Sequence, residues 1–347
     1  MSKAQYRSLG KSGLKVSVPI LGAMSFGTSK WAILNFLQPW VLDEEPSIEI
    51  LKAAWDLGIN TIDTANIYSN GESERVIAKF IKKYNIPRPQ IIIATKCNGL
   101  VVNDPSIHGF ARPGLVELPE YVNQSGLSRA AIFNAVDASL ARLDTPYIDL
   151  LQIHRFDPSV TPQETMKALH DLVQSGKVRY IGASSMRCWQ FAMLNDVAAR
   201  NGWTTFVSMQ DEYSLLYREE EREMLAYCKF NGIGVIPWAP LSAGLLARPV
   251  GTETTRLNSI KGTAWEKKVS SADATIINRV EELSKKKNYK MSQIALAWVA
   301  SKVSSPIVGI SSVQRLQESI IEGIELTPEE IKYLEEPYEP KATRGHI

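Results

Sequence analysis

The chain contains 347 residues, of which 44% are hydrophobic and 22% are charged, and its formal net charge at pH 7 is +2. These values are ordinary for a globular protein and supply enough apolar residues for a sizeable core. The balanced charge gives no sign of a surface built for nucleic acid or a membrane, so we expect neither as a partner.

The cysteine content limits the chemistry further. Cys97, Cys188 and Cys228 are odd in number, far apart and without a CxxC spacing, which fits neither a disulfide framework nor a zinc site. We therefore expect three reduced thiols and no bound metal. The first residues are polar, and no uninterrupted apolar run is long enough to cross a bilayer, so we expect a cytoplasmic protein.

Short β-branched runs alternate with amphipathic segments of helical length, which predicts repeated βα units around a parallel sheet. Residues 6–18 come first and predict a β-hairpin that covers the N-terminal face of the sheet. The predicted strands are then residues 19–24, 60–65, 91–97, 147–154, 179–184, 205–210, 234–239 and 305–310. The predicted helices are residues 46–57, 72–84, 128–143, 162–175, 189–201, 220–231, 274–287 and 292–301.

Eight strands in this alternation predict a (β/α)8 (TIM) barrel with an N-terminal hairpin cap. No repeat, linker or low-complexity tract divides the chain, so we expect residues 1–347 to form one domain. Three connections are unusually long, namely residues 25–45, 98–127 and 241–274. Each follows a strand, so each would emerge at the C-terminal face, where barrel active sites are built. These loops are candidates for gating a substrate and clamping a cofactor.

Four polar residues stand at or just past the ends of consecutive predicted strands: Asp63, Tyr68, Lys96 and His154. Singly, each has a structural explanation, such as a turn hydrogen bond, a rim tyrosine, an extended lysine or a satisfied core histidine. Together they form a working acid catalyst. A phenol titrates near ~10, and the Lys96 cation would favour its ionised form. Asp63 would keep that ammonium charged, and a neutral His154 could orient a carbonyl oxygen.

Several strings show that the chain resembles the aldo-keto reductase superfamily over nearly its whole length. They are GINTIDTANIYS at 58–69 with GESE at 71–74, LLQIH at 150–154, GKVRYIGASS at 176–185 and IPWAPL at 236–241. The long loops and YREEERE at 217–223 are similar to the fungal aryl-alcohol dehydrogenase and versiconal hemiacetal acetate reductase-like group. The resemblance implies that hydride passes from NADPH to a carbonyl carbon while Tyr68 protonates the oxygen, in a tetrad with Lys96, Asp63 and His154.

The resemblance also implies which residues hold the nicotinamide half of the cofactor. Relatives hold the carboxamide with a Ser-Asn pair and a Gln, which correspond to Ser184, Ser185 and Gln210. Here Ser185 replaces the usual Asn. Trp238 would stack on the ring, and Gly22 and Met24 would lie beneath it, close to Asp63. The residues that would line the pyrophosphate are Ala239, Pro240, Leu241, Ser242, Gly244 and Leu245.

At the adenosine end, the resemblance implies binding by Gly309 and the residues that follow it. Arg315 and Glu318 fit the family pattern, whereas Ser311 stands where many relatives have Arg or Lys and Ser319 where many have Asn. A guanidinium suits the adenosine 2′-phosphate, so we expect NADPH, with NADH possible but less favoured. No GxGxxG fingerprint follows any strand, which argues against a Rossmann domain.

Aromatic residues in the long loops indicate the substrate class. Trp31 and Tyr121, with Phe36 and Trp40, predict an apolar pocket that would favour aryl or medium aliphatic aldehydes and ketones over sugars.

Two alternatives remain. One is a redox-sensing NADP-binding module resembling the potassium-channel β-subunits. The other is a cofactor-free barrel lyase or isomerase in which Lys96 forms a Schiff base. The complete tetrad argues against the first, and the residues expected to bind a cofactor argue against the second.

Overall fold

A computed structural model describes residues 4–33, 36–37, 40–108, 113–263 and 266–346. Strands β1 (Gln5–Ser8) and β2 (Lys15–Val18) form an antiparallel N-terminal hairpin. A smaller antiparallel pair, β4 (Ala32–Ile33) and β5 (Phe36–Leu37), lies in the first long loop. The remaining strands are parallel and form one sheet: β3 (Ile20–Gly22), β6 (Thr61–Asp63), β7 (Ile92–Cys97), β8 (Ile148–Ile153), β9 (Val178–Ser184), β10 (Ser208–Gln210), β11 (Gly234–Val235) and β12 (Ile307–Gly309).

The sheet closes on itself. Its strands follow the order β11-β10-β9-β8-β7-β6-β3-β12, so β11 and β12 are the two ends that must meet. Backbone hydrogen bonds join them, from Ile307 N to Pro237 O at 2.9 Å and from Ser304 N to Val235 O at 3.0 Å. The predicted (β/α)8 barrel is therefore confirmed, because a closed ring of eight parallel strands defines this architecture.

Helices follow the barrel strands as predicted. They are α1 (Glu44–Asp56), α2 (Glu72–Lys83), α3 (Arg129–Leu143), α4 (Pro162–Gln174), α5 (Cys188–Arg200), α6 (Met224–Asn231), α7 (Thr255–Ile260), α8 (Ser271–Lys287), α9 (Met291–Lys302), α10 (Val313–Gln317) and α11 (Pro328–Glu335). Their starts have physical causes: the Ser128 hydroxyl accepts from Ala131 N, and Thr161 accepts from Glu164 N ahead of Pro162. Among the described helices, none is both long and apolar enough to span a membrane.

Two predicted elements differ from the structure. Strand β11 ends at Val235 rather than at residue 239, because Pro237 has no N–H to donate to a neighbouring strand. The segment predicted as one helix over 220–231 begins with a separate 3₁₀ turn at Glu219–Glu221, and α6 starts only at Met224. The Glu221 carboxylate is held there by Arg218 at 2.8 Å, so the chain bends before the helix begins.

The N-terminal hairpin closes the bottom of the barrel, as the sequence predicts. Leu9 is fully buried and belongs to the same cluster as Ile20, Leu150 and Ile236 of the barrel interior. The contact is close, since a Cβ on Gly234 would lie only 2.6 Å from the Leu9 side chain. Among the described residues, the hairpin consequently leaves the C-terminal ends of the strands as the end of the barrel that it does not cover.

A buried ion pair anchors the strand that carries Lys96. The Glu74 side chain on α2 has no solvent exposure, and its two oxygens accept from the Arg142 Nε of α3 and the Thr95 hydroxyl of β7, each at 2.6 Å. Thr95 directly precedes Lys96. Glu74 thus ties two helices to the point on β7 where the lysine leaves the strand.

We expect Arg142→Ala to lower the free energy of unfolding by about 3–5 kcal/mol, because it leaves the Glu74 charge buried without its partner. Urea denaturation of the purified protein measures this loss. Arg200→Ala is the matched control: its side chain is 77% exposed and pairs with Asp196 on one helix face, so the change should stay within about 0.5 kcal/mol. Equal losses in both variants would contradict the anchoring role.

Candidate active site

Lys96 is the centre of the candidate site. It lies on β7, and its side chain is only 1% exposed. Its Nζ donates to Asp63 Oδ2 at 2.6 Å, to the Thr64 carbonyl at 2.9 Å and to the Tyr68 hydroxyl at 3.4 Å. The ammonium group therefore uses all three of its protons inside the barrel mouth.

Asp63 is surrounded by donors. While Oδ2 accepts from Lys96, Oδ1 accepts from Gln210 Nε2 at 2.8 Å and from Gln152 Nε2 at 3.0 Å. Gln152 was not predicted, although its position gave a signal. It lies on the apolar strand β8 two residues before His154, and residues two apart share a strand face. The buried carboxylate therefore accepts hydrogen bonds from one cation and two amides.

Tyr68 begins a tight 3₁₀ turn, Tyr68–Gly71, that follows β6. The turn contains two non-glycine residues in the left-handed region, Ser69 (φ 48°) and Asn70 (φ 51°). Asn70 Nδ2 donates to the Ile107 carbonyl at 2.6 Å, so the second long loop secures this strained turn. The turn directs the tyrosine toward Lys96, whose Nζ lies 5.1 Å from the ring centre.

The ionisation states differ in part from the sequence-based expectation. Burial raises the pKa of Tyr68 above its ordinary value, and Lys96 lowers it by less. Lys96 acts in the expected direction, toward phenolate, but burial has the larger effect on the pKa. Burial lowers the pKa of Lys96, but Asp63 and Tyr68 raise it by more, so the lysine stays charged. At neutral pH the pair is a neutral phenol beside an ammonium.

His154 follows β8 and packs edge-on against Tyr68, with 5.9 Å between ring centres. Burial, followed by the charges of Arg155 and Lys96, holds its pKa well below 6.5, so the imidazole is neutral. Its Nδ1 is buried without a hydrogen-bond partner among the described residues. The tetrad therefore contains one neutral ring nitrogen able to bond an incoming polar group.

Three of the residues expected at the nicotinamide lie together at the ends of β9 and β10. The Ser184 hydroxyl donates to the Gln210 carbonyl at 2.7 Å. The Trp238 indole donates to the Ser185 hydroxyl at 3.0 Å, so the Ser at this position supports the tryptophan. The Gln210 amide nitrogen is already engaged with Asp63 and with Gln152. Gly22 pairs in register with Asp63, and Met24 follows in the turn after β3.

The loop after β11 has an unusual backbone. Ala239, Ser242, Ala243 and Gly244 all have positive φ, between 48° and 93°. Three of these four carry a side chain, so the conformation is costly for them and requires a reason. The N–H groups of Ser242 and Gly244 donate to the carbonyls of Ala239 and Leu241, each at 2.9 Å, so the loop is a series of tight turns held by its own backbone. Pro240, Leu241 and Leu245 complete the segment that was expected to line a pyrophosphate.

The predicted adenosine residues lie around α10. The exposed Arg315 donates from Nη1 to the Ser311 hydroxyl at 2.5 Å, so Ser311 orients the guanidinium instead of adding a second charge. Gln314 donates to the Glu318 carboxylate at 3.2 Å, and Gly309 at the end of β12 is exposed. Ser319 is buried, and its hydroxyl donates to the Leu316 carbonyl. Ser319 is therefore engaged within its own helical turn.

Of the predicted substrate residues, Trp31 and Tyr121 are both buried and pack against neighbouring side chains. Trp31 is 2% exposed and stacks on His108 with 4.6 Å between ring centres. Tyr121 packs with Leu100 and Val102, and its hydroxyl accepts from a backbone amide, so it serves the packing of its own loop. The Phe36 side chain lies outside the described part of the structure.

Two arginines near the tetrad were not predicted. Arg155 directly follows His154, and Arg256 comes from the third long loop, where its guanidinium lies 3.5 Å from the centre of the Trp40 ring. Burial lowers the pKa of Arg256 to about 10, and it lowers that of Arg155 as well. Tyr68 acts on both in the opposite direction, which shows that both cations lie close to the tetrad. Arg155 could have been predicted to lie near the site because it directly follows His154. Arg256 could not, because it lies in a long loop and does not follow a strand of the barrel directly.

Comparisons with known proteins agree with this geometry. The sequence model of the Aldo/keto reductase family matches residues 20–339. An aldo-keto reductase of Fusarium vanettenii is 52% identical, over 99% of this chain and 94% of that protein. The versiconal hemiacetal acetate reductase of Aspergillus parasiticus is 48% identical, over 97% and 98%. A Schizosaccharomyces pombe protein provisionally named an aryl-alcohol dehydrogenase is 49% identical, over 100% and 99%.

The raised pKa of Tyr68 predicts that its phenol loses its proton at a higher pH than an ordinary tyrosine does. The difference in phenolate absorbance between the wild type and Tyr68→Phe, followed from pH 7 upward, should therefore have its midpoint above the ordinary value of ~10. A Tyr68 signal that rises clearly below the ordinary phenol pKa of ~10 would mean that Lys96 outweighs burial.

Proposed function

The chain belongs to the aldo/keto reductase family, and on that premise we propose that it is an NADPH-dependent carbonyl reductase that uses Tyr68 as its proton donor. The observation that carries the proposal is the hydrogen-bonded set of Tyr68, Lys96 and Asp63 at the end of the barrel that the hairpin does not cover. Aldehydes or ketones would be reduced to alcohols at this site.

The residues of the chain divide the work as follows. Tyr68 gives its phenolic proton to the substrate oxygen, and the Lys96 ammonium stabilises the phenolate that remains. Asp63 keeps Lys96 charged and in place through the 2.6 Å ion pair. The neutral His154 ring, packed edge-on against Tyr68, orients the carbonyl oxygen. These groups are positioned before substrate arrives, so little reorganisation accompanies proton transfer.

The residues present suit a nicotinamide dinucleotide. A bound reduced nicotinamide would supply hydride to the carbonyl carbon. Ser184, Ser185 and Trp238 would hold the nicotinamide end, and the loop from Ala239 to Gly244 would line the pyrophosphate. Arg315, oriented by Ser311, fits a 2′-phosphate and favours NADPH over NADH.

The Schiff-base alternative is not favoured by the chemistry of Lys96. A lysine nucleophile needs a lowered pKa so that the amine is neutral. Here Asp63 and Tyr68 raise the pKa of Lys96, and the nitrogen is fully hydrogen-bonded. The redox-sensing alternative uses the same bound cofactor and differs by having no turnover, so kinetics separate the two.

We expect Tyr68→Phe to lower kcat/KM for NADPH-linked reduction of 4-nitrobenzaldehyde by about 100- to 10,000-fold, because the general acid is lost. NADPH oxidation at 340 nm measures the rate. Tyr289→Phe is the matched control and should keep wild-type activity. Cofactor binding, followed by quenching of tryptophan fluorescence, should be similar in all three proteins.

Two outcomes would contradict this proposal. Tight NADPH binding without turnover of any carbonyl by the wild type would favour the redox-sensing module, and full activity in Tyr68→Phe would remove Tyr68 from the mechanism. Aldoses are tested as substrates in the same assay, beside 4-nitrobenzaldehyde. If they are reduced as efficiently as aryl aldehydes, the apolar pocket proposed around Trp31 is wrong.

We expect Arg315→Leu to raise the KM for NADPH by about tenfold or more while leaving the KM for NADH nearly unchanged, since only NADPH carries the 2′-phosphate. Initial rates with each cofactor at saturating aldehyde give both constants. Arg200→Leu removes an exposed arginine from α5 and should change neither constant. Equal increases for NADPH and NADH in Arg315→Leu would mean that Arg315 does not recognise the phosphate.

A further inference from the structure

A second cluster of titratable side chains lies at the end of β10, outside the tetrad. Asp211 directly follows Gln210 and is 1% exposed, yet neither of its carboxylate oxygens has a hydrogen-bond partner among the described residues. Glu220 and His346 lie beside it, with His346 Nε2 3.1 Å from Glu220 Oε1. One ligand atom from each of the three residues lies within 4.8 Å of the others.

The electrostatics of this cluster are unbalanced. Burial raises the pKa of Asp211 well above its ordinary value, and the Glu220 carboxylate raises it further. The nearby backbone N–H groups of Ser185 and Met186 and the Arg155 guanidinium lower it by less, although neither N–H makes a hydrogen bond of normal geometry to the carboxylate. Buried polar groups without partners are rare, because each costs the free energy of lost hydration. His346 Nδ1 is also buried and has no hydrogen-bond partner within the described part of the chain. The unpaired atoms of Asp211 and His346 therefore lie in the same cluster.

The terminal segment that brings His346 to this place is firmly held. Arg344 donates to both Glu212 oxygens, from Nε at 2.9 Å and from Nη2 at 2.8 Å. Further back, Tyr338 donates to Glu219 at 2.7 Å. These contacts hold the segment at Glu212, which follows Asp211, and at Glu219, which precedes Glu220. The approach of His346 to Asp211 is consequently set by several independent interactions.

We propose that Asp211, Glu220 and His346 bind one divalent transition-metal ion of the zinc type, which fastens the C-terminal segment to the end of β10. Zinc sites use imidazole and carboxylate ligands, and three protein ligands leave one position for water. Tetrahedral ligands at about 2.0–2.1 Å from the ion lie about 3.4 Å from one another. The ligand atoms of these three residues lie within 4.8 Å of one another, so the most distant pair would move together by at most about 1.4 Å on binding. The ion would neutralise both carboxylates and use the unpaired oxygens of Asp211.

The test uses the full chain, stripped with EDTA, dialysed and titrated with Co²⁺, whose visible absorption reports the geometry of zinc-type sites. We expect saturation at one equivalent and displacement by Zn²⁺. His346→Ala and Asp211→Asn should each weaken binding by about tenfold or more, because each removes a ligand. The matched controls are His170→Ala on α4 and Glu253→Gln on the exposed loop before α7, which should bind like the wild type.

A second measurement separates this site from unspecific surface binding. In the wild type, Zn²⁺ should slow hydrogen–deuterium exchange of the amides in residues 338–346, and it should not do so in His346→Ala. Circular dichroism checks that Asp211→Asn is folded, and His346→Ala, in the terminal segment, provides an independent variant. No saturable binding, or binding equal in the wild type and His346→Ala, would overturn the proposal.

Discussion

The buried ion pair between Lys96 and Asp63 is the interaction on which the rest of the site depends. Two charges removed from water are unfavourable unless good geometry and further hydrogen bonds compensate for lost hydration. Here Gln152, Gln210 and the Thr64 carbonyl supply those bonds. Because these groups come from different strands, closure of the barrel is what brings them together. The fold therefore determines the charge state of the lysine, and the lysine determines the electrostatic surroundings of the phenol.

In the proposed mechanism, the same interior allows Tyr68 to act as an acid although it is buried. A phenol that is hard to ionise is a weak acid in the resting protein, which prevents proton loss to water. The Lys96 cation becomes most valuable only as negative charge develops on the phenolic oxygen, since attraction between charges is stronger where water is excluded. A raised resting pKa and a neighbouring ammonium are thus complementary properties of one arrangement.

Local pattern was sufficient to predict the barrel and the tetrad. Lys96 and His154 each end an apolar β-branched run, so their positions at the mouth followed from strand polarity alone. Residues held by long loops and tails could not be found this way. Arg256 reaches Trp40 through packing between two loops, and His346 meets Asp211 only because the terminal segment docks by ion pairs. The expectation of no metal came from sequence spacing, which does not reveal clusters of side chains that are far apart in the chain, such as Asp211, Glu220 and His346.

The hairpin plug beneath the barrel also has a kinetic consequence. With Leu9 filling the lower end, a molecule that binds inside the described barrel has to come from the C-terminal ends of the strands, so the one that binds deepest must enter first and leave last. Two reactants meeting at Tyr68 would then follow a compulsory order, and the deeper one could depart only after the shallower one had vacated the entrance. The rate of turnover in such a barrel depends on the order in which the two molecules are released as much as on the chemical step.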